Sequence, residues 1–143
     1  MTERVEAVAL GVTWNSVRGA LLVSSDVGDT SLRLRAHPND PDQRDVLLIW
    51  NGVMWAHIGM PNDEARSGHR LFPLGLDAIV WIGEVTNSRL IHELEAVNSV
   101  HQRHDPDHFW TLHHWIVPLK ESTAEVVGRS LSVERTSQSD SLD

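Results

Sequence analysis

Val46-Leu47-Leu48-Ile49-Trp50-Asn51-Gly52-Val53-Met54-Trp55-Ala56-His57-Ile58 consists of two apolar runs rich in strand formers, joined by Asn-Gly. Asn-Gly tolerates positive φ at both central positions of a type I′ turn, whose twist matches that of paired strands, so the stretch predicts a β-hairpin. A two-residue loop fixes the register. It pairs Trp50 with Val53, Leu48 with Trp55 and Val46 with His57 on one face, and Leu47 with Ala56 and Ile49 with Met54 on the other. Both faces are apolar, which predicts a central place in the sheet or a second face covered by a helix or another subunit.

Working outward, Leu32, Leu34 and Ala36 alternate with Arg33 and Arg35, the pattern of a strand with one wet face. Val5 to Val12, Gly19 to Val23 and Ala78 to Val85 are further strand candidates, whereas His37-Pro38-Asn39-Asp40-Pro41-Asp42 cannot continue a ladder. Met60 to Arg70 is polar, holds Pro61 and Gly68, and reads as a loop or one short helical turn. From Asn87 or Ser88 as N-cap, a helix is predicted to about Val100, with Leu90, Ile91, Leu94 and Val97 on its apolar face, ending by Asp105-Pro106. Phe109 to Val117 reads as a long strand, with Thr123 to Glu134 as its antiparallel partner. The predicted fold is α+β: a mainly antiparallel sheet of about six or seven strands with one principal helix packed on a face. Residues 1–135 form a single domain, and residues 136–143, polar and patternless, are expected to be a disordered tail.

A chain of 143 residues with 41% hydrophobic and 22% charged residues is sized for one core. Its apolar runs break after a few residues, far short of the roughly 20 that span a bilayer, and the acidic start lacks a secretory signal, so a cytoplasmic protein that does not enter membranes is expected. With no cysteine, disulfides, thiolate nucleophiles and thiolate-bound metals are excluded. A formal charge of -8 without any basic run argues against nucleic acid as a partner. Protonating all nine histidines would carry that charge to +1, so solubility is expected to fall in mild acid.

Three groups of residues could carry chemistry. His101 and His104, spaced to share a helical face, lie close in sequence to Asp105, Asp107 and His108, and imidazole with carboxylate is the ligand set open to a cysteine-free site for a divalent metal. The competing reading makes His101 a capping residue favoured by the helix dipole, with His104 and His108 solvated. His113 and His114, adjacent on a strand, point to opposite faces, so only one can join a common site. Asp63, Glu64, Arg66 and His69 form the second group, in which a carboxylate orients an imidazole that moves a proton; solvated loop charges are the competing reading. The third is aromatic: Trp50, Trp55 and Trp115 with His57 are the expected walls of a small-molecule pocket, or else simply core.

No Gly-x-Ser-x-Gly elbow and no phosphate-binding Gly-x-x-x-x-Gly-Lys-Ser/Thr loop occurs, which argues against a serine hydrolase and a P-loop NTPase. The sequence therefore predicts a small-molecule enzyme using His69, His113 or His114 with Asp63 or Glu64 as acid and base, a divalent metal being the candidate cofactor. The alternative is a non-catalytic interaction module or homodimer, its apolar surface buried against a partner.

Overall fold

The computed structural model describes residues 2–142 and shows two antiparallel sheets packed face to face. Its strands are β1 (Arg4–Ala7), β2 (Ala20–Val23), β3 (Thr30–Leu34), β4 (Asp45–Asn51), β5 (Trp55–Gly59), β6 (Gly83–Thr86), β7 (His113–Pro118), β8 (Thr123–Gly128) and β9 (Ser130–Thr136). One sheet has the order β1-β6-β7-β8-β5 and the other β2-β3-β4-β9. Helix α1 (Arg89–Asn98), the short α2 (Pro106–Trp110) and 3₁₀ turns at Asp63–Gly68, Phe72–Leu74 and Leu76–Ala78 complete the larger part of the chain. The α+β class holds, but the strands divide between two sheets instead of forming one.

The division arises at the Asn-Gly step. β4 pairs with β3 and β9, while β5 pairs with β8, so the predicted hairpin does not form. Gly52 does adopt positive φ, at +61°, but Asn51 does not, and the step is a corner by which the chain leaves one sheet for the other. The stretch read as one strand from Thr123 to Glu134 turns a matching corner at Gly128-Arg129. The two corners nest: Arg129 N–H donates to the Asn51 carbonyl at 2.9 Å, and Met54 N–H to the Val127 carbonyl at 2.8 Å. Sheets whose strands switch partners at such bends enclose a shared core, and long-range pairing here overrides the local turn signal.

That core takes Leu32, Leu34, Val46, Leu48 and Trp50 from the four-stranded sheet and Trp115, Val117, Ala124 and Val126 from the other, with Trp14 between. Burying side chains of this size stabilises by roughly 1.5–3 kcal/mol each before entropy is counted. The five-stranded sheet has a second covered face. Val5, Val85 and Ile116 pack under the 3₁₀ turns, and Val127 packs with Phe109 and Leu112 beside Leu90, Ile91 and Leu94 of α1. Gly75, at φ +124°, lets the turns settle on β1, since a Cβ there would meet the Val5 carbonyl oxygen at 2.3 Å.

Helix α1 follows the sequence expectation, with Ser88 as N-cap accepting from Ile91 N–H at 3.2 Å. Val97, expected on its apolar face, is instead 75% exposed. Asp105 caps α2, with Pro106 at its first turn, so Phe109 and Trp110 are helical and the strand starts only at His113. Thr136 ends β9, Ser139 N–H donates to Asp45 Oδ2 at 3.0 Å, Arg33 Nη1 donates to the Ser137 carbonyl at 3.1 Å, and Leu142 is buried. Asp143 lies outside the described residues. Among the described residues no helix is long and apolar enough to cross a membrane.

Candidate functional site

On the outer face of the five-stranded sheet, beneath α1 and the first 3₁₀ turn, four side chains join in a line. Antiparallel register places His57, Glu125 and Ile116 side by side across β5, β8 and β7, with His114 one step along that face. His114 is fully buried. Its Nε2 lies 2.9 Å from Glu125 Oε1 and its Nδ1 lies 2.8 Å from Ser88 Oγ. The other carboxylate oxygen, Oε2, lies 3.3 Å from His69 Nε2.

The proton positions follow from the partners. Burial works against the charge on Glu125, but hydrogen bonds from His114 and His69 outweigh it and hold the carboxyl down at about 2. An ionised Glu125 only accepts, so both facing imidazole nitrogens carry hydrogen. His69 Nδ1 accepts from Leu71 N–H at 3.0 Å, which fixes that ring's tautomer. The Ser88 hydroxyl and His114 Nδ1 share the other bond, in which a ring carrying its hydrogen on Nε2 alone would accept from the hydroxyl. Ser88 Oγ meanwhile accepts from Ile91 N–H as the helix cap, so one oxygen serves fold and site together. Beside it, Glu3 accepts from Arg89 N–H at 2.8 Å and pairs with Arg70. Burial would raise the Glu3 carboxyl, and Arg70, the Arg89 amide and the nearby His114 bring it below the usual range.

Ser88 lines a cavity of about 400 Å³ between α1, α2 and β6, together with Glu84, His92, Glu95, Trp110 and His113. His113 lies on the opposite side of β7 from His114, as the strand alternation predicts. It is exposed, with Nδ1 2.5 Å from Glu84 Oε1 and its ring 5.4 Å from that of Trp115.

Of the residues singled out in the sequence, the structure thus brings His69 and His114 together, through a carboxylate that is neither Asp63 nor Glu64. Those two acids are exposed in the first 3₁₀ turn, where Asp63 N–H donates to the Lys120 carbonyl at 2.8 Å. The aromatic wall does not assemble. Trp50 and Trp115 belong to the intersheet core with ring centroids 6.4 Å apart, while Trp55 stacks on His57 at 5.8 Å on the other side of the sheet. His101 is exposed, its Nδ1 accepting from Arg103 N–H at 2.9 Å. His104 lies 2.9 Å from Asn98 Nδ2 and packs on Phe109. Among the described residues no three His, Asp or Glu side chains form a group that could hold a metal ion. Glu125 and Ser88 went unrecognised as site residues. An isolated acid inside Ala124-Glu125-Val126-Val127 was the available signal, because a carboxylate in an apolar strand requires partners.

No protein family, no curated protein and no solved structure matches this chain.

Proposed function

We propose that the protein is a small-molecule enzyme of the cytoplasm in which His114 and Glu125 form an acid-base pair that activates Ser88 for acyl transfer or hydrolysis. The observation that carries this reading is the continuous line Ser88–His114–Glu125–His69. A hydroxyl beside an imidazole whose other nitrogen is held by a largely buried, ionised carboxylate is the arrangement of an activated serine whatever the fold. The absence of a Gly-x-Ser-x-Gly elbow bears on one way of presenting such a serine, and here a helix N-cap would present it.

In the proposed reaction Ser88 Oγ attacks an ester or amide carbonyl in the cavity while its proton passes to His114 Nδ1. Glu125 stabilises the imidazolium so formed, and His69 holds the second carboxylate oxygen. The tetrahedral adduct collapses as His114 returns that proton to the leaving oxygen or nitrogen. Water then repeats the sequence on the acyl-serine, releasing the acid and restoring Ser88.

The test is incubation with a fluorophosphonate, followed by intact-mass measurement and peptide mapping. One adduct on Ser88, absent in Ser88→Ala and slowed at least about 100-fold in Glu125→Gln, is expected. No adduct, or one that persists in Ser88→Ala, would sink the reading and leave the four residues as a strut between helix and sheet.

A second reading, an interaction module or homodimer, is favoured by a different observation. Val97 and Val100 are 75% and 89% exposed and, with Met54 and Leu94, border an apolar groove of about 590 Å³. Light scattering that gives one mass, that of a monomer, up to high concentration would count against the homodimer.

A further inference from the structure

The turn at Asp63–Gly68 and the loop after β7 border a second cavity, of about 500 Å³, whose lining does not include Ser88. Its frame is tied by the main chain: Lys120 N–H donates to the Ser16 carbonyl at 2.9 Å, and the Lys120 carbonyl accepts from Asp63 N–H. Val17 and Val80, 58% and 66% exposed, stand with Ile79 as an apolar wall. Two cations line the same space, Arg66 and Lys120, the latter being the chain's only lysine.

Neither cation is matched. Arg66 Nη2 donates to the Leu119 carbonyl at 3.0 Å, while its Nε–H is buried without an acceptor. Among the described residues neither Arg66 nor Lys120 forms an ion pair, Asp63 included. A guanidinium fixed by a backbone carbonyl is held in place with its charge left uncompensated, and an under-bonded buried donor costs about 1–3 kcal/mol. Among the residues that line the cavity, two cations stand against the single acid Asp63, an excess of one positive charge on a chain of net charge -8. The site is complementary to one negative charge on an apolar body.

We infer that this cavity binds a small monocarboxylate with an aliphatic tail, its carboxylate between Arg66 and Lys120 and its tail against Val17, Ile79 and Val80. The inference is independent of the acyl-transfer reading, because it uses none of Ser88, His114, Glu125 or His69.

The single lysine supplies the probe. Reductive methylation with ¹³C-formaldehyde keeps its charge and gives one ε-dimethyl signal, separate from that of the terminal amine. Titration with hexanoate is expected to shift that signal saturably, with a dissociation constant on the order of 1 mM. Hexylamine should leave it in place, and acetate should bind at least about tenfold more weakly for want of the tail. Arg66→Gln should abolish the shift, and Lys120→Gln should remove the binding heat in calorimetry of unmethylated protein. An unmoved signal overturns the inference, as does a shift unchanged in Arg66→Gln. Acetate or inorganic phosphate binding as tightly as hexanoate would also overturn it, since the apolar wall would then contribute nothing.

Discussion

Each sheet carries one carboxylate removed from solvent and gripped by two nitrogenous side chains, and the grips differ in kind. Asp45, fully buried in the four-stranded sheet, is held by Arg33 at 2.8 Å and Arg35 at 3.0 Å. Glu125, in the five-stranded sheet, is held by His114 and His69. Guanidinium keeps its proton at every accessible pH, so the arginine grip is a fixed charge cluster that closes the tail over the sheet. Imidazole can give up and take back a proton, so the histidine grip is able to do chemistry. Asp45 has none of its side chain exposed and Glu125 15%, yet both carboxylates are gripped from two sides, and the choice of partner separates a clamp from a site.

The largest expected effect lies on the clamp. Asp45→Ala removes the carboxylate that Arg33 and Arg35 share, Arg35 being only 9% exposed, and breaking a buried pair from one side costs about 3–5 kcal/mol. Urea unfolding should show this loss, and because the cluster contains no histidine it should be the same at pH 6 and pH 8. A loss below about 1 kcal/mol would mean that the tail and solvent neutralise Arg35 by themselves.

Acid should act on the site next. The Glu125 carboxyl lies at about 2 in the folded chain against 4.5 for an ordinary glutamate. The folded state therefore binds fewer protons than the unfolded one in that interval, and stability falls as pH falls. At ~1.4 kcal/mol per unit the contribution is about 3 kcal/mol, present above pH 4.5 and lost progressively from there to about pH 2. Asp45 is also lowered, burial opposing and Arg33, the Ser139 amide and Arg35 favouring its charge, so wild type must be compared with Glu125→Gln. The variant should be about 2–3 kcal/mol less stable at pH 7 and should converge on wild type in acid. Parallel curves would show that Glu125 is not the ionised partner of the two histidines.

Much of this contrast was legible in residue types but not in their pairing. Helix α1, its Ser88 cap and the opposed faces of His113 and His114 follow from local rules, since capping and strand alternation involve neighbours in sequence. His69 and Glu125 are 56 positions apart and meet only because β5 lies beside β8. That adjacency rests on the corners at Asn51-Gly52 and Gly128-Arg129, and a sequence window sees the first of these as a hairpin. The same turn chemistry permits both outcomes. The sheet partner decides, as Trp50 opposite Leu131 instead of Val53 shows.

The corner gives the next effect in size. Gly52→Val places a β-branched residue at φ +61°, where its Cβ would stand 2.5 Å from the Arg129 side chain. Arg129 can swing away, so the cost is mainly backbone strain of about 1–3 kcal/mol. Thermal unfolding measures it. If the loss instead exceeds that of Asp45→Ala, the corner contributes more to stability than the clamp, and the ranking of the two regions reverses.

The smallest effect tests what lies outside both grips. His101 shares the spacing with His104 that points to a metal, but it is exposed and its ring accepts from the main chain of Arg103. Surface substitutions of this sort change stability by less than about 0.5 kcal/mol. His101→Ala should therefore leave the unfolding midpoint unmoved, with or without a chelator. His104, whose ring packs on Phe109 and faces Glu95 at 3.7 Å, should cost about 1 kcal/mol when cut to alanine, through lost packing. A chelator that lowers the wild-type midpoint but not that of His101→Ala would show that this histidine binds an ion. In that case the division into clamp and site would be incomplete, because a third cluster would owe its order to a ligand instead of to a buried carboxylate.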